Sequence, residues 1–114
     1  MSIVLSHTTA KAVYQAAHSV SAKGIESCNP AAIYGSCPTG TLLDAAAEWL
    51  TKHDVSLDAN DSLEVMVFDR RNARYAMNCQ CHVSSKRFSN SRFIELKDGI
   101  FIVGVELCAR QAAT

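Results

Sequence analysis

Hydrophobic and polar positions recur with two different periods along the chain, and the change of period divides it. In the first half Ala10, Val13, Ala17 and Val20 return at helical spacing behind Ser6, a good N-cap. They predict an amphipathic helix from Thr8 to about Ser21, stopped by Gly24. From Ile25 to Gly40 the Asn, Pro, Gly and Ser residues punctuate a loop, with Ala31–Tyr34 as a piece that could make one turn of helix. A second helix follows, with Thr41 as cap, Asp44 near its positive end, and Leu42, Leu43, Ala46, Trp49 and Leu50 on one apolar face. It is expected to reach about Lys52, where a polar linker begins.

Beyond that linker the period falls to that of a strand. Leu63 to Phe68 is apolar on both faces, as a buried central strand should be. After a turn at Asp69–Arg74, Tyr75, Met77, Cys79, Cys81 and Val83 alternate with Ala76, Asn78, Gln80 and His82, so this strand should lay one face on the core. Two last strands, about Arg92–Leu96 and Ile100–Val103, flank Lys97-Asp98-Gly99, a hairpin signal, and Val105–Ala112 reads as a short closing helix. The expected fold is α+β: two amphipathic helices, then a small, mainly antiparallel sheet of about four strands, then the C-terminal helix, in one domain over residues 1–114.

Composition agrees with a packed domain. The chain is 48% hydrophobic and 19% charged, with five Gly and two Pro, which excludes disorder and fibrous repeats. The apolar run Ile3–Leu5 is too short for a secretory signal, and no later run suits a membrane span, so a cytoplasmic location is expected. Cys28, Cys37, Cys79, Cys81 and Cys108 are odd in number and irregularly spaced, as reduced thiols would be rather than a disulfide framework.

The clusters that could carry chemistry each fail on spacing. Cys79, Cys81 and His82, with Cys28 and Cys37, contain zinc-binding residue types, but on a strand His82 faces away from both cysteines, and buried Cys filling a core face outweighs a metal site. The same divergence separates Cys81 from His82 as nucleophile and base. His7, His18 and His53, placed at or near helix ends and on a polar side, read as surface residues. The eleven carboxylates are scattered, and Gly35–Gly40 lacks the lysine of a phosphate loop and carries Pro38. No catalytic residue, cofactor or metal is expected, and the protein is read as a non-enzyme.

Charge placement offers more. Net charge is zero, yet from Arg70 to Lys97 seven basic residues face only Glu95, a local balance of plus six. Arg70, Arg71, Arg74, Lys86, Arg87, Phe88 and Arg92 are therefore the candidate binding residues, for a partner surface or for phosphate. Tyr75, Phe88 and Phe93 lie among them as bases' stacking platforms would, although Tyr75 and Phe93 fit the core equally well. Ser84–Ser91, polar with Phe88 near its centre, is the segment best suited to a contact.

Cys81-His82-Val83, the segment Arg92–Ile102, and Glu106-Leu107-Cys108 with Gln111 and Ala113 resemble the non-nuclease part of a group of bacterial proteins. That group comprises type IV toxin–antitoxin antitoxins of the abortive-infection kind and very-short-patch-repair-like endonuclease-domain proteins. Val4–Ala10 resembles the segment that opens their core. The resemblance implies the fold of that core without its nuclease, since the chain ends at Thr114 and has Gly104, Val105, Ala109 and Arg110 where the group has Ser-Pro or Pro and bulky apolar residues. The functional expectation is a binding module of bacterial defence or mobile-element biology. It would act as a stoichiometric inhibitor or regulator of a protein or protein–nucleic-acid complex, for example as a phage-type anti-CRISPR or anti-defence inhibitor. The alternative is an antitoxin-like DNA-binding regulator that uses residues 70–97.

Overall fold

The computed structural model describes residues 2–16, 33–55, 63–73, 79–84, 93–97, 99–104 and 108–110. They form a small α+β domain around one mixed sheet. In chain order the elements are β1 (Ile3–Leu5), α1 (His7–Ala16), α2 (Gly40–Lys52), β2 (Leu63–Val67), a 3-10 turn (Arg70–Asn72), β3 (Cys79–Val83), β4 (Phe93–Lys97) and β5 (Ile100–Val103). The sheet has five strands in the order β3-β2-β1-β5-β4.

This corrects the expected architecture in three respects: a strand precedes the helices, there are five strands rather than about four, and the sheet is mixed. β1 pairs antiparallel with β2 and parallel with β5, β2 pairs parallel with β3, and only the β4–β5 hairpin and β1–β2 are antiparallel. β1 escapes detection because three residues are too few to show a period. It lies at the centre of the sheet, and Ile3, Val4 and Leu5 are all fully buried. The turn expected after β2 does form, with Asp69 Oδ1 accepting the Arg71 N–H at 2.9 Å. A turn does not dictate direction, however, and β3 returns parallel to β2, which requires a crossover rather than a hairpin.

The β4–β5 hairpin forms as expected, with β5 over the expected residues and β4 shifted by one. Gly99 takes φ 81°, a left-handed conformation open to glycine at little cost. In α2 the cap is Thr39, not Thr41: its Oγ1 accepts the Leu42 N–H at 3.2 Å. The helix therefore starts two residues earlier than Leu42, and Asp44 falls beyond its first turn. Its C-terminus closes as a Schellman motif, with Asp54 at φ 57°, Asp54 N–H donating to Thr51 O and Val55 N–H to Leu50 O. Leu50 and Val55 are both buried, so the linker's first apolar residue belongs to the core.

Both faces of the sheet are covered. The register places Ile3, Leu5, Val65, Ile100 and Ile102 on one side and Val4, Met66, Phe101 and Val103 on the other, and all are buried. Each such side chain contributes roughly 1.5–3 kcal/mol by leaving water. α1 bridges β2 and β5: its first turn bonds to Glu64, and Tyr14 OH donates to Val103 O at 2.8 Å. α2 contributes Leu43, Ala46 and Leu50, with Leu42 and Trp49 packed beside them, as its apolar face predicts. The second half of the first predicted helix, residues 17–21, the strand residues 75–78 and most of the closing helix lie outside the described residues, although Cys108–Arg110 are helical.

Candidate functional site

Two polar regions stand out, one assembled by strand register and the other by adjacency along the chain. The first lies where β1 runs into α1. Glu64 is the only charged residue in an otherwise apolar strand, and a carboxylate in that position must find donors or remain unionised. It finds them in α1 and β3. The Thr8 N–H donates to Glu64 Oε2 at 2.9 Å, and His82 Nε2 lies 3.0 Å from Oε1. On the backbone, Ser6 N–H donates to Glu64 O at 2.9 Å and Glu64 N–H to Thr9 Oγ1 at 2.8 Å. Every polar atom of Glu64 is thus partnered, and its charge sits at the positive end of α1.

His7 completes this region. Its ring stacks on His82 with centroids 3.7 Å apart and planes inclined by 17°, and its Nδ1 is 2.8 Å from Ser6 Oγ. The backbone there is left-handed, φ 53°, a conformation that costs a non-glycine residue roughly 1–2 kcal/mol. Burial, with the adjacent His82, pushes the His7 pKa below its ordinary value, and Glu64 only partly opposes this. The surface reading of His7 is corrected: the ring is half-buried and engaged.

Chemically, the cluster contains a Ser–His contact and a His–Glu contact, but on two different histidines. In a triad one histidine must touch both the hydroxyl and the acid. Ser6 is also 0% exposed, so its hydroxyl is out of reach of a substrate. The arrangement does serve to pin the β1–α1 junction to β2 and to the edge strand β3.

The cysteines behave as core residues. Cys79 is buried, Cys81 half-buried, and alternation places His82 on the opposite side of the sheet from both. Burial, with Cys81 alongside, pushes the Cys79 thiol up to about 12, which disfavours the thiolate. Among the described residues no group of three His, Cys, Asp or Glu side chains is placed to hold a metal; Cys28 lies outside them.

The second region contains the predicted binding residues. Arg70 and Arg71 form the exposed 3-10 turn after β2. Arg71 is engaged by Asp69, with Nη2–Oδ2 at 2.8 Å and Nε 3.2 Å from both carboxylate oxygens, and this contact holds the Asp69 carboxyl down to about 2. Arg74, Lys86, Arg87, Phe88 and Arg92 lie outside the described residues, as does Tyr75. Phe93 is fully buried and meets Phe68 edge-on at 6.1 Å, so it is a core residue and not a stacking platform.

Strand direction decides which basic segments meet. Because β2 and β3 are parallel, Val67 and Val83 lie opposite one another, and the chain leaves both strands at the same end of the sheet. Ser84 N–H still donates to Val67 O at 2.9 Å as it departs toward the predicted contact segment. Ile3, Ile100 and Lys97 lie at this same end through successive register pairs. Arg70, just past β2, and exposed Lys97 of β4 therefore share one end, on strands that lie three spacings, about 14 Å, apart in the sheet. The loop before α2 packs here too, with Cys37 N–H donating to Ser2 O at 2.9 Å and Ser36 Oγ to Met66 O at 3.2 Å. Phe93, by contrast, pairs with Val103 at the opposite end, where β4 begins.

Comparison with protein-family models, with curated proteins and with solved structures finds no match to this chain. No helix among the described residues is long and apolar enough to cross a membrane.

Proposed function

We propose that the protein is a binding module without catalytic chemistry, which docks an acidic surface of a protein or protein–nucleic-acid complex on the basic end of its sheet. The observation that carries this reading is the parallel pairing of β2 and β3. It sends the Arg70–Asn72 turn and the start of the Ser84–Ser91 segment out of the same end of the sheet, at which Lys97 also lies on the far edge strand β4. Full engagement of Glu64 and burial of Ser6 support the lack of chemistry, since neither offers a vacant base or an accessible nucleophile. The bidentate Asp69–Arg71 contact favours a protein surface over phosphate, because it mixes charges in a patch that a polyphosphate backbone would require to be uniformly positive. A role as a stoichiometric inhibitor or regulator in bacterial defence draws on the resemblance of the Arg92–Ile102 and Val4–Ala10 segments.

The test is co-elution in size-exclusion chromatography with nucleic-acid-guided nuclease complexes and with the toxins of abortive-infection systems. The variant Arg70→Glu/Lys97→Glu is run beside the natural sequence. The reading expects a stoichiometric complex that the double variant loses, and it is overturned if none forms or if the variant binds equally well. Retention of free duplex DNA, weakening steeply as salt is raised, would instead establish the DNA-binding alternative.

A further inference from the structure

In the His7–His82–Glu64 cluster three titratable side chains from α1, β3 and β2 meet. We propose that it is an acid-sensitive latch: near neutral pH it holds the first turn of α1 against β2 and edge strand β3, and proton uptake by His7 releases that turn.

The geometry supplies both the hold and the trigger. Glu64 is 13% exposed and His82 32% exposed in their side chains, and their contact at 3.0 Å ties β3 to β2 beside the start of α1. His7 lies flat against that ring at 3.7 Å. Two stacked imidazolium rings at this distance repel one another, so the arrangement accommodates one charge and not two. Among the described residues, the titratable groups acting on His7 are Glu64 from β2 and His82 from β3, and they act in opposite directions. Within α1 itself, the first-turn N–H groups also disfavour a cation at the helix start.

When His7 takes a proton from solvent, its ring becomes a donor at both nitrogens. Ser6 Oγ, 2.8 Å from Nδ1 and fully buried, must then accept, while the new positive charge lies against His82. The left-handed backbone at His7 gives the response a direction, since a ring freed from the stack no longer holds φ at 53°. The residues next in line are Thr8, whose N–H bonds Glu64, and Thr9, whose hydroxyl accepts from the Glu64 backbone.

The test follows the imidazole signals of the full chain by NMR from pH 8 to 5, alongside amide hydrogen exchange corrected for its intrinsic pH dependence. Expected is a rise of about tenfold or more in exchange at Thr8–Ala10, with its midpoint on the His7 titration, while Leu43–Leu50 of α2 stay protected. Parallel loss of protection in α1 and α2, or an α1 midpoint that does not follow His7, would overturn the proposal. His7→Asn, which tolerates the left-handed backbone, should abolish the pH response; a folded variant that keeps it would also overturn the proposal. The titration on the natural sequence decides the matter even if that variant does not fold.

Discussion

At the β1–α1 junction His7, Glu64 and His82 are drawn from a helix start and two strands, and their contacts cross between elements. At the basic end Asp69, Arg70 and Arg71 are consecutive, both arginines are exposed, and Asp69 and Arg71 bond to each other within the turn. The first region locks tertiary structure, and a deletion there strands partners in a low-dielectric setting. The second decorates a turn, and water replaces whatever is removed. The difference teaches that polar residues contribute to this fold according to what they leave behind when lost, not according to how many charges they bring.

That contrast is open to direct attack. The largest effect is expected from Glu64→Ala, which deprives Thr8 N–H and His82 of their acceptor together and should lower stability by about 2–3 kcal/mol. Arg70→Ala should stay within about 0.5 kcal/mol of the natural sequence. Urea unfolding of the two variants measures both, and similar losses would erase the distinction between the regions. A smaller effect is expected from Thr9→Val, which preserves shape at a fully buried position but leaves the Glu64 N–H without its acceptor. A loss of about 1–2 kcal/mol in the same unfolding measurement is the expected outcome.

The same contrast explains what could be read along the chain. The basic residues of 70–97 were visible because they cluster in sequence, and the Lys97-Asp98-Gly99 hairpin because its turn chemistry is local. The α2 face was legible from its period. β1 was not, since a three-residue central strand leaves no alternation to detect, and without it the sheet loses its middle. The histidine cluster was hidden for a related reason: His7, Glu64 and His82 meet only through the β1–β2 and β2–β3 registers, which depend on strand direction. One signal did exist. A lone Glu in the apolar run Leu63–Phe68 demands partners, and a helix start with exposed N–H groups is a suitable one.

The smallest effects separate the two regions by pH. The folded state holds His7 below its ordinary value of 6.5, so as pH falls the unfolded chain takes up that proton first. Stability at the junction is therefore intact above 6.5 and declines as pH drops toward the depressed value. Asp69 runs the other way in charge but not in direction: its carboxyl is held at about 2 against an ordinary 3.8, so its contribution is complete above 3.8 and disappears as pH falls through about 2. Thermal unfolding against pH should then show two separate declines, the upper removed by His7→Asn and the lower by Arg71→Ala. Because the Asp69–Arg71 pair is exposed, added salt should shrink the lower decline far more than the upper one. If salt instead removed the upper decline and spared the lower, the junction would be the solvated region and the turn the structural one, reversing the assignment made from burial.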